Sequence, residues 1–295
     1  MSKPENRASQ TAQFAAAHRA YHLMHDHPAI LEDDAAGWLL GPPLSAILHA
    51  APLRWLFWRP LIAKVRPISA FVVIRSRYAE DCLAQAIRGG CRQYVILGAG
   101  LDSWALRHTE PGVTVFELDQ PATQQWKAAR IRDRLGAAPA HLVLIPIDFE
   151  REAIADVLAA APGRQYDREA PALVSWLGTI CYLTHDAIAG TFASLAAACA
   201  PGSRVVFDYF EPKERMSPAD LQLFETLDAG GARRGEPMQT LLAAEEMAEI
   251  LAAAGWRVVE DLSAPEIRRR YLAQRTDGLD IPGFARLCCA EIGPG

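Results

Sequence analysis

Cysteine is sparse, with six in 295 residues, and no pair has the C-x-x-C spacing of a metal or redox site. Cys82, Cys91, Cys181, Cys199, Cys288 and Cys289 mostly stand in apolar runs. We expect buried free thiols, with neither a disulfide framework nor a metal centre. Long apolar runs are also lacking. The longest, Pro52 to Pro67, is interrupted by Arg54, Arg59, Pro60 and Lys64, short of the ~18 residues that a membrane span needs. The polar start Met1-Ser2-Lys3-Pro4-Glu5-Asn6-Arg7 leads into no apolar signal region, so a cytoplasmic protein without a membrane partner is expected. Nor is there an excess of positive charge: 30 basic side chains face 35 acidic ones, for a net charge of −5. That excludes a broad nucleic-acid surface, and the one dense basic run, Arg268-Arg269-Arg270, reads as a solvated helix face. What is present is a globular composition, 51% hydrophobic and 22% charged, ample for one large domain with a sizeable core.

Two helical regions come first. Thr11 to His27 is rich in Ala and carries Phe14, Tyr21 and Met24; Leu44 to Arg66 is cut by Pro52 and Pro60 and carries Trp55, Phe57 and Trp58. Neither belongs to a repeating βα pattern, so residues 1–70 read as a helical N-terminal lid or substrate cap. From about Arg77 the pattern alternates. A helix to Ile87 stops at Gly89-Gly90, and strands follow at 94–97, 113–118, 142–147, 172–177 and 204–209 with helices between them. Short apolar strands separated by helices imply a parallel sheet covered on both faces. After an insertion near 211–235, with a mobile tip at Gly230-Gly231, come strands Trp256 to Asp261 and Phe284 to Ile292. The fold class is therefore α/β and Rossmann-like, with seven mostly parallel strands in residues 71–295.

Four strand ends carry the chemistry. Gly98-Ala99-Gly100 follows the first strand, where glycine lets the backbone turn tightly and a ligand approach it. Ser103 replaces the third glycine of G-x-G-x-x-G, which disfavours a nicotinamide or flavin cofactor. Glu117 and Asp119 end the second strand on one face, about 20 residues on, where an acid can accept from both ribose hydroxyls of an adenosine cofactor; each could instead be a capping carboxylate. Asp148-Phe149 ends the third strand and can flank an adenine, though Asp148 is also a plausible helix cap. Trp176-Leu177-Gly178-Thr179-Ile180-Cys181-Tyr182-Leu183 follows the fourth. There Gly178 permits close approach, while Trp176 and Tyr182 are either core aromatics or neighbours of a sulfonium, Tyr182 also being able to donate to an acceptor oxygen.

Arg75-Ser76-Arg77, Asp81, Gly98 to Asp102, Phe116-Glu117-Leu118-Asp119-Gln120-Pro121, Asp148 and Tyr182-Leu183 together resemble the leucine carboxyl methyltransferase family. Within it the chain is most similar to the bacterial branch of tetracenomycin-type polyketide O-methyltransferases, from about Thr11 to Ile292. The resemblance implies S-adenosylmethionine as cofactor and methyl transfer to oxygen. It further implies that Arg75 or Arg77 holds the cofactor carboxylate, that Gly98 and Asp119 contact the cofactor, and that Asp148 and Phe149 flank the adenine. With Ala99, Gly100, Glu117, Trp176 and Gly178 these make up the expected cofactor set, and Tyr182 is the expected catalytic residue. Eukaryotic members carry Glu at the position of Leu177, where it meets the cofactor amino group. Leu177 cannot do so, which leaves backbone carbonyls near Gly98 or Trp176 and weakens any inference to a protein C-terminus as substrate.

The strand ends show no His/Asp pair. A carboxylate acceptor is ionised at neutral pH and needs only positioning and desolvation; a phenol would need a base, for which His185, Tyr21, His22 and His25 are the candidates. The expected partner is thus a small-molecule carboxylic acid of secondary metabolism, giving a methyl ester, and the alternative is a phenolic hydroxyl of a polyketide-like substrate. A nicotinamide-dependent oxidoreductase and a catalytically silent cofactor-binding protein are the rival classes.

Overall fold

The computed structural model describes residues 10–42, 44–53, 56, 59–149, 151–161, 166–233 and 235–293, and for 59–64 the backbone alone. Trp55, Phe57 and Trp58 lie outside the described residues. Among the described residues the strands are β1 (Gln93–Leu97), β2 (Thr114–Asp119), β3 (Leu142–Pro146), β4 (Ala172–Trp176), β5 (Arg204–Phe210), β6 (Trp256–Leu262) and β7 (Ala285–Ile292). They form one sheet in the order β3-β2-β1-β4-β5-β7-β6. Neighbours are parallel except β7, which runs antiparallel to both β5 and β6. Every residue of β1, β2 and β4 is buried, as expected where helices cover both faces.

Strand alternation divides the core in two. Tyr94 and Ile96 of β1 join Phe71, Ile74 and Tyr78 and the buried alanines of the N-terminal helix. Val95 and Leu97 face the other way, toward Ile188, Phe192 and Leu251. On the first face lie α1 (Gln10–His25), α2 (Ala36–Leu39) and α5 (Arg59–Arg88), with the short α3 (Leu44–His49) and α4 (Ala51–Leu53) between them. Helix α5 passes without interruption across residue 70. It contains Pro67, and helical angles break at Val65 (φ −121°, ψ 20°), because proline removes a backbone donor and crowds the preceding turn. The turn helix α6 (Trp104–Arg107) and α7 (Pro121–Leu135) follow β1 and β2. The second face is covered by α8 (Ile154–Ala159), α9 (His185–Ala198) and α11 (Ala244–Ala253).

One expectation changes on the sheet's closing side. Gly230-Gly231 is no loop tip: both residues lie inside α10 (Pro218–Arg233). A Cβ on the buried Gly231 would collide with the carbonyl oxygen of Glu236, so this glycine permits a close crossing and does not mark a bend. The arginine run is a solvated helix face as expected, on α12 (Ala264–Tyr271), where it pairs with nearby acids. Arg268 pairs with Asp280 at 2.6 Å, Arg270 with Glu260, and Arg269 stands 4.0 Å from Glu266. All six cysteines are free thiols, five of them buried. No described helix is long and apolar enough to cross a membrane.

Candidate active site

The chain leaves β1 for β2 on one side, while β4 pairs with β1 on the other. Strand order thus reverses beside β1, and the crevice outside the carboxyl ends is where an open α/β sheet takes its ligand. A cleft of about 240 Å³ lies there. Its floor is the loop from Gly98 to Asp102, its walls Asp119, Gln120, Leu177, Gly178 and Thr179, and its rim the exposed Phe149. Arg75 and Ser76 enter from α5, and Thr11, Ala12, Ala15 and Arg19 of α1 cover it.

Two glycines have clear steric reasons. Gly100 has φ +53°, and a Cβ there would stand 2.9 Å from Cβ of Ala12; α1 lies directly on the glycine loop. Gly178 has φ +69°, and its Cβ would stand 2.7 Å from Cζ of Arg75. The guanidinium crosses the space that a side chain would fill. Asp208 of β5 fixes both partners: Oδ2 accepts from Nη1 of Arg75 at 3.1 Å and Oδ1 from the Gly178 amide at 2.6 Å.

Asp119 closes the loop from the other side. Its carboxylate accepts from the amides of Gly100 at 2.5 Å and Gln120 at 2.6 Å. Burial pushes its pKa above the usual carboxylate range against these hydrogen bonds. A second buried acid, Asp33, accepts from Nε of Arg19, from Oγ of Ser103 (both 2.7 Å) and from the Ala36 amide at 2.9 Å. Burial opposes its ionisation, but Arg19 and Arg107 outweigh that and hold its pKa down. His18 is fully enclosed, with Nδ1 2.8 Å from Oγ of Ser69. Burial, and then the guanidinium groups of Arg75 and Arg19, push its pKa down to about 3, so the imidazole is neutral.

Seven of the expected residues line the cleft: Arg75, Gly98, Ala99, Gly100, Asp119, Phe149 and Gly178. The rest lie elsewhere. Arg77 pairs with Asp81 at 2.8 Å on the exposed side of α5. Glu117 is sealed in the core against Lys127, both side chains being at most 1% exposed; burial raises its pKa against the pull of Lys127. Asp148 is half-exposed, 3.6 Å from Arg151. Trp176 packs edge-on against Phe192 at 5.2 Å. Tyr182 is half-buried against the first core, and its carbonyl accepts from Gln239 Nε2 at 2.7 Å.

The candidate bases are also away from the cleft. His22 spends Nδ1 on Asp26 at 2.9 Å and Nε2 on the Ile30 amide at 2.8 Å. Tyr21 and His25 pack ring on ring at 4.3 Å, and His185 is exposed at the start of α9. Sequence reasoning missed Arg19 and Asp208, and placed Thr179 in the fourth strand-end motif without a role of its own. The first two had a signal, a charge within an alanine-rich helix and an acid within the apolar strand Val205 to Phe210.

The residues present suit an adenosine cofactor bearing an amino-acid tail. A strand-end carboxylate can receive a diol, an exposed aromatic can take a flat base, and a guanidinium stands at the opposite wall. Thr179 Oγ1 is buried beside the cleft without a hydrogen-bond partner among the described residues. Strand order, antiparallel β7 and the strand-end cleft together define the class I S-adenosylmethionine-dependent methyltransferase fold.

The sequence model of the leucine carboxyl methyltransferase family matches residues 12–196. The chain belongs to that family. It is similar to YktD of Bacillus subtilis (strain 168), which bears the provisional name of an S-adenosyl-L-methionine-dependent methyltransferase. The identity is 29% over 296 residues, covering 93% of this chain and 95% of YktD. A Mycolicibacterium smegmatis protein of the same provisional name is 31% identical over 281 residues, covering 89% and 81% of the two chains. Among solved structures, a provisionally named methyltransferase of Thermobifida fusca has TM-score 0.60 at 15% identity, covering 99% and 97%. A DUF574 family protein of Streptomyces avermitilis has TM-score 0.62 at 16% identity, covering 94% and 97%. These two share the fold.

Proposed function

We propose that the enzyme is a cytoplasmic O-methyltransferase of secondary metabolism that esterifies the carboxylate of a small-molecule acid. S-adenosylmethionine supplies the methyl group from its sulfonium. In this reading Asp119 accepts from the ribose hydroxyls, Phe149 lies against the adenine, Arg75 takes the amino-acid carboxylate, and the Thr179 hydroxyl turns to the same tail. Helix α1 acts as a lid that excludes water once both ligands are in place.

The lining of the cleft carries the choice of acceptor. Its titratable side chains among the described residues are Arg19, Arg75, Asp102 and Asp119. The acids are engaged by backbone amides, Asp102 by that of Trp104 at 2.9 Å. The imidazole beside both arginines, His18, has its pKa pushed to about 3, too low to draw a proton from a phenol of pKa about 10. A carboxylate acceptor needs no base, and the family's own description is of carboxyl methylation.

With the acceptor acid in hand, turnover is expected to stay flat from about pH 6 to 8, since carboxylates ionise near pH 4. The methylated product is expected to be cleaved by mild alkali, as esters are. A rate that climbs through that window, with an alkali-stable product, would instead establish a methyl ether on a phenolic hydroxyl.

A further inference from the structure

Arg75 reaches the cleft from α5 and is tied to Asp208. A second guanidinium, Arg19, reaches it from α1. Two of its nitrogens are anchored: Nε donates to Asp33 at 2.7 Å and Nη2 to the Leu101 carbonyl at 2.6 Å. Nη1 makes no hydrogen bond to a described residue, and the side chain is 8% exposed. The acids of the lining are engaged by amides, Asp119 by Gly100 and Gln120 and Asp102 by Trp104. Both guanidinium groups also bear on the same imidazole, that of His18. Two cations line one cleft and act on one imidazole, one of them with a donor uncommitted among the described residues; such a place favours an anion. Which anion follows from the anchors. Leu101 and Ser103, through which Arg19 and Asp33 are held, belong to the loop that leaves β1, the floor of the cofactor site.

We propose that Arg19 is a second carboxylate-binding residue of the cleft, closing with Arg75 on the amino-acid carboxylate of S-adenosylmethionine, an inference that rests on reading the cleft as that cofactor's site. Cofactor binding then ties α1 to the glycine loop, so that the helix over the acceptor is seated by the cofactor itself.

The test compares two ligands by calorimetry on the full chain. S-adenosylhomocysteine carries the carboxylate; 5′-methylthioadenosine keeps the adenosine and sulfur without it. Arg19→Gln is expected to weaken S-adenosylhomocysteine about tenfold or more while leaving 5′-methylthioadenosine within about twofold, the loss of one charge-assisted hydrogen bond. Arg19→Lys, which keeps the charge but not the fork, is expected to fall between wild type and Arg19→Gln. Equal losses for both ligands would overturn the proposal, since Arg19 would then only shape the loop through Leu101; so would no loss for either. Should Arg19→Gln fail to fold, the ratio of the two affinities in Arg19→Lys decides: a ratio equal to wild type overturns the proposal. Wild-type protein that binds neither ligand would be a different result, overturning the reading of the cleft before any variant is made.

Discussion

Asp119→Ala is expected to lower the affinity for S-adenosylhomocysteine by about 1.5–3 kcal/mol, roughly 10- to 150-fold, as for a buried charge-assisted hydrogen bond. The substitution acts twice. It removes the carboxylate proposed to meet the ribose, and it strips the acceptor from the amides of Gly100 and Gln120, which leaves the cofactor loop without its tether. Asp119→Asn keeps one acceptor oxygen and should lose less. Titration of the purified variants with S-adenosylhomocysteine measures both, and thermal melts without ligand separate the loop's loss of support from the ligand's. Unchanged affinity in Asp119→Ala would remove this residue from the site.

The strand ends were readable in the sequence because their causes are local. The apolar run Tyr94 to Leu97 must be a covered strand, and the glycines after it must turn; β2 ends on its acid at the spacing that the crossover sets. Glu117 shows the limit of that reasoning. It shares a face with Asp119, yet one step deeper in the sheet it meets Lys127 instead of the cleft, because alternation gives the face and not the depth. The roof of the site was less legible for another reason. Arg19 acquires its meaning from Leu101, 82 positions away, and Arg75 from Asp208, 133 positions away. Nothing within either segment states the partner. Gly231 misleads in the opposite sense, since paired glycines ordinarily mark a turn and here one clears the path of a carbonyl within a helix.

Removal of residues 1–27 is expected to abolish turnover, to weaken S-adenosylhomocysteine by about tenfold or more as the Arg19 contact is lost, and to leave a folded sheet. The core of Ile188, Phe192 and Leu251 on the far face of the sheet does not involve α1, so β1, β2, β4 and β5 keep half of their cover intact. On the near face, α1 contributes mostly small residues, Ala16, Ala17 and Ala20, with Tyr21. Its firmer links are polar: His18 to Ser69, Arg19 to Asp33, and His22 to the Ile30 amide. Once α1 is gone Asp33 retains Ser103 and Arg107, and water can take the remaining positions. The cleft, by contrast, loses Thr11, Ala12, Ala15 and Arg19 together, which opens the acceptor side to water. Circular dichroism should therefore show a cooperative melt at a lowered temperature beside a rate below detection. Gly100→Ala gives a milder version of the same experiment. Its methyl group would press on Ala12 at 2.9 Å from a backbone at φ +53°, a conformation that costs a non-glycine residue about 1–2 kcal/mol. It should loosen α1 and weaken S-adenosylhomocysteine with the chain complete. A truncated protein that methylates its substrate at the full rate would refute the lid, whatever the fate of the sheet.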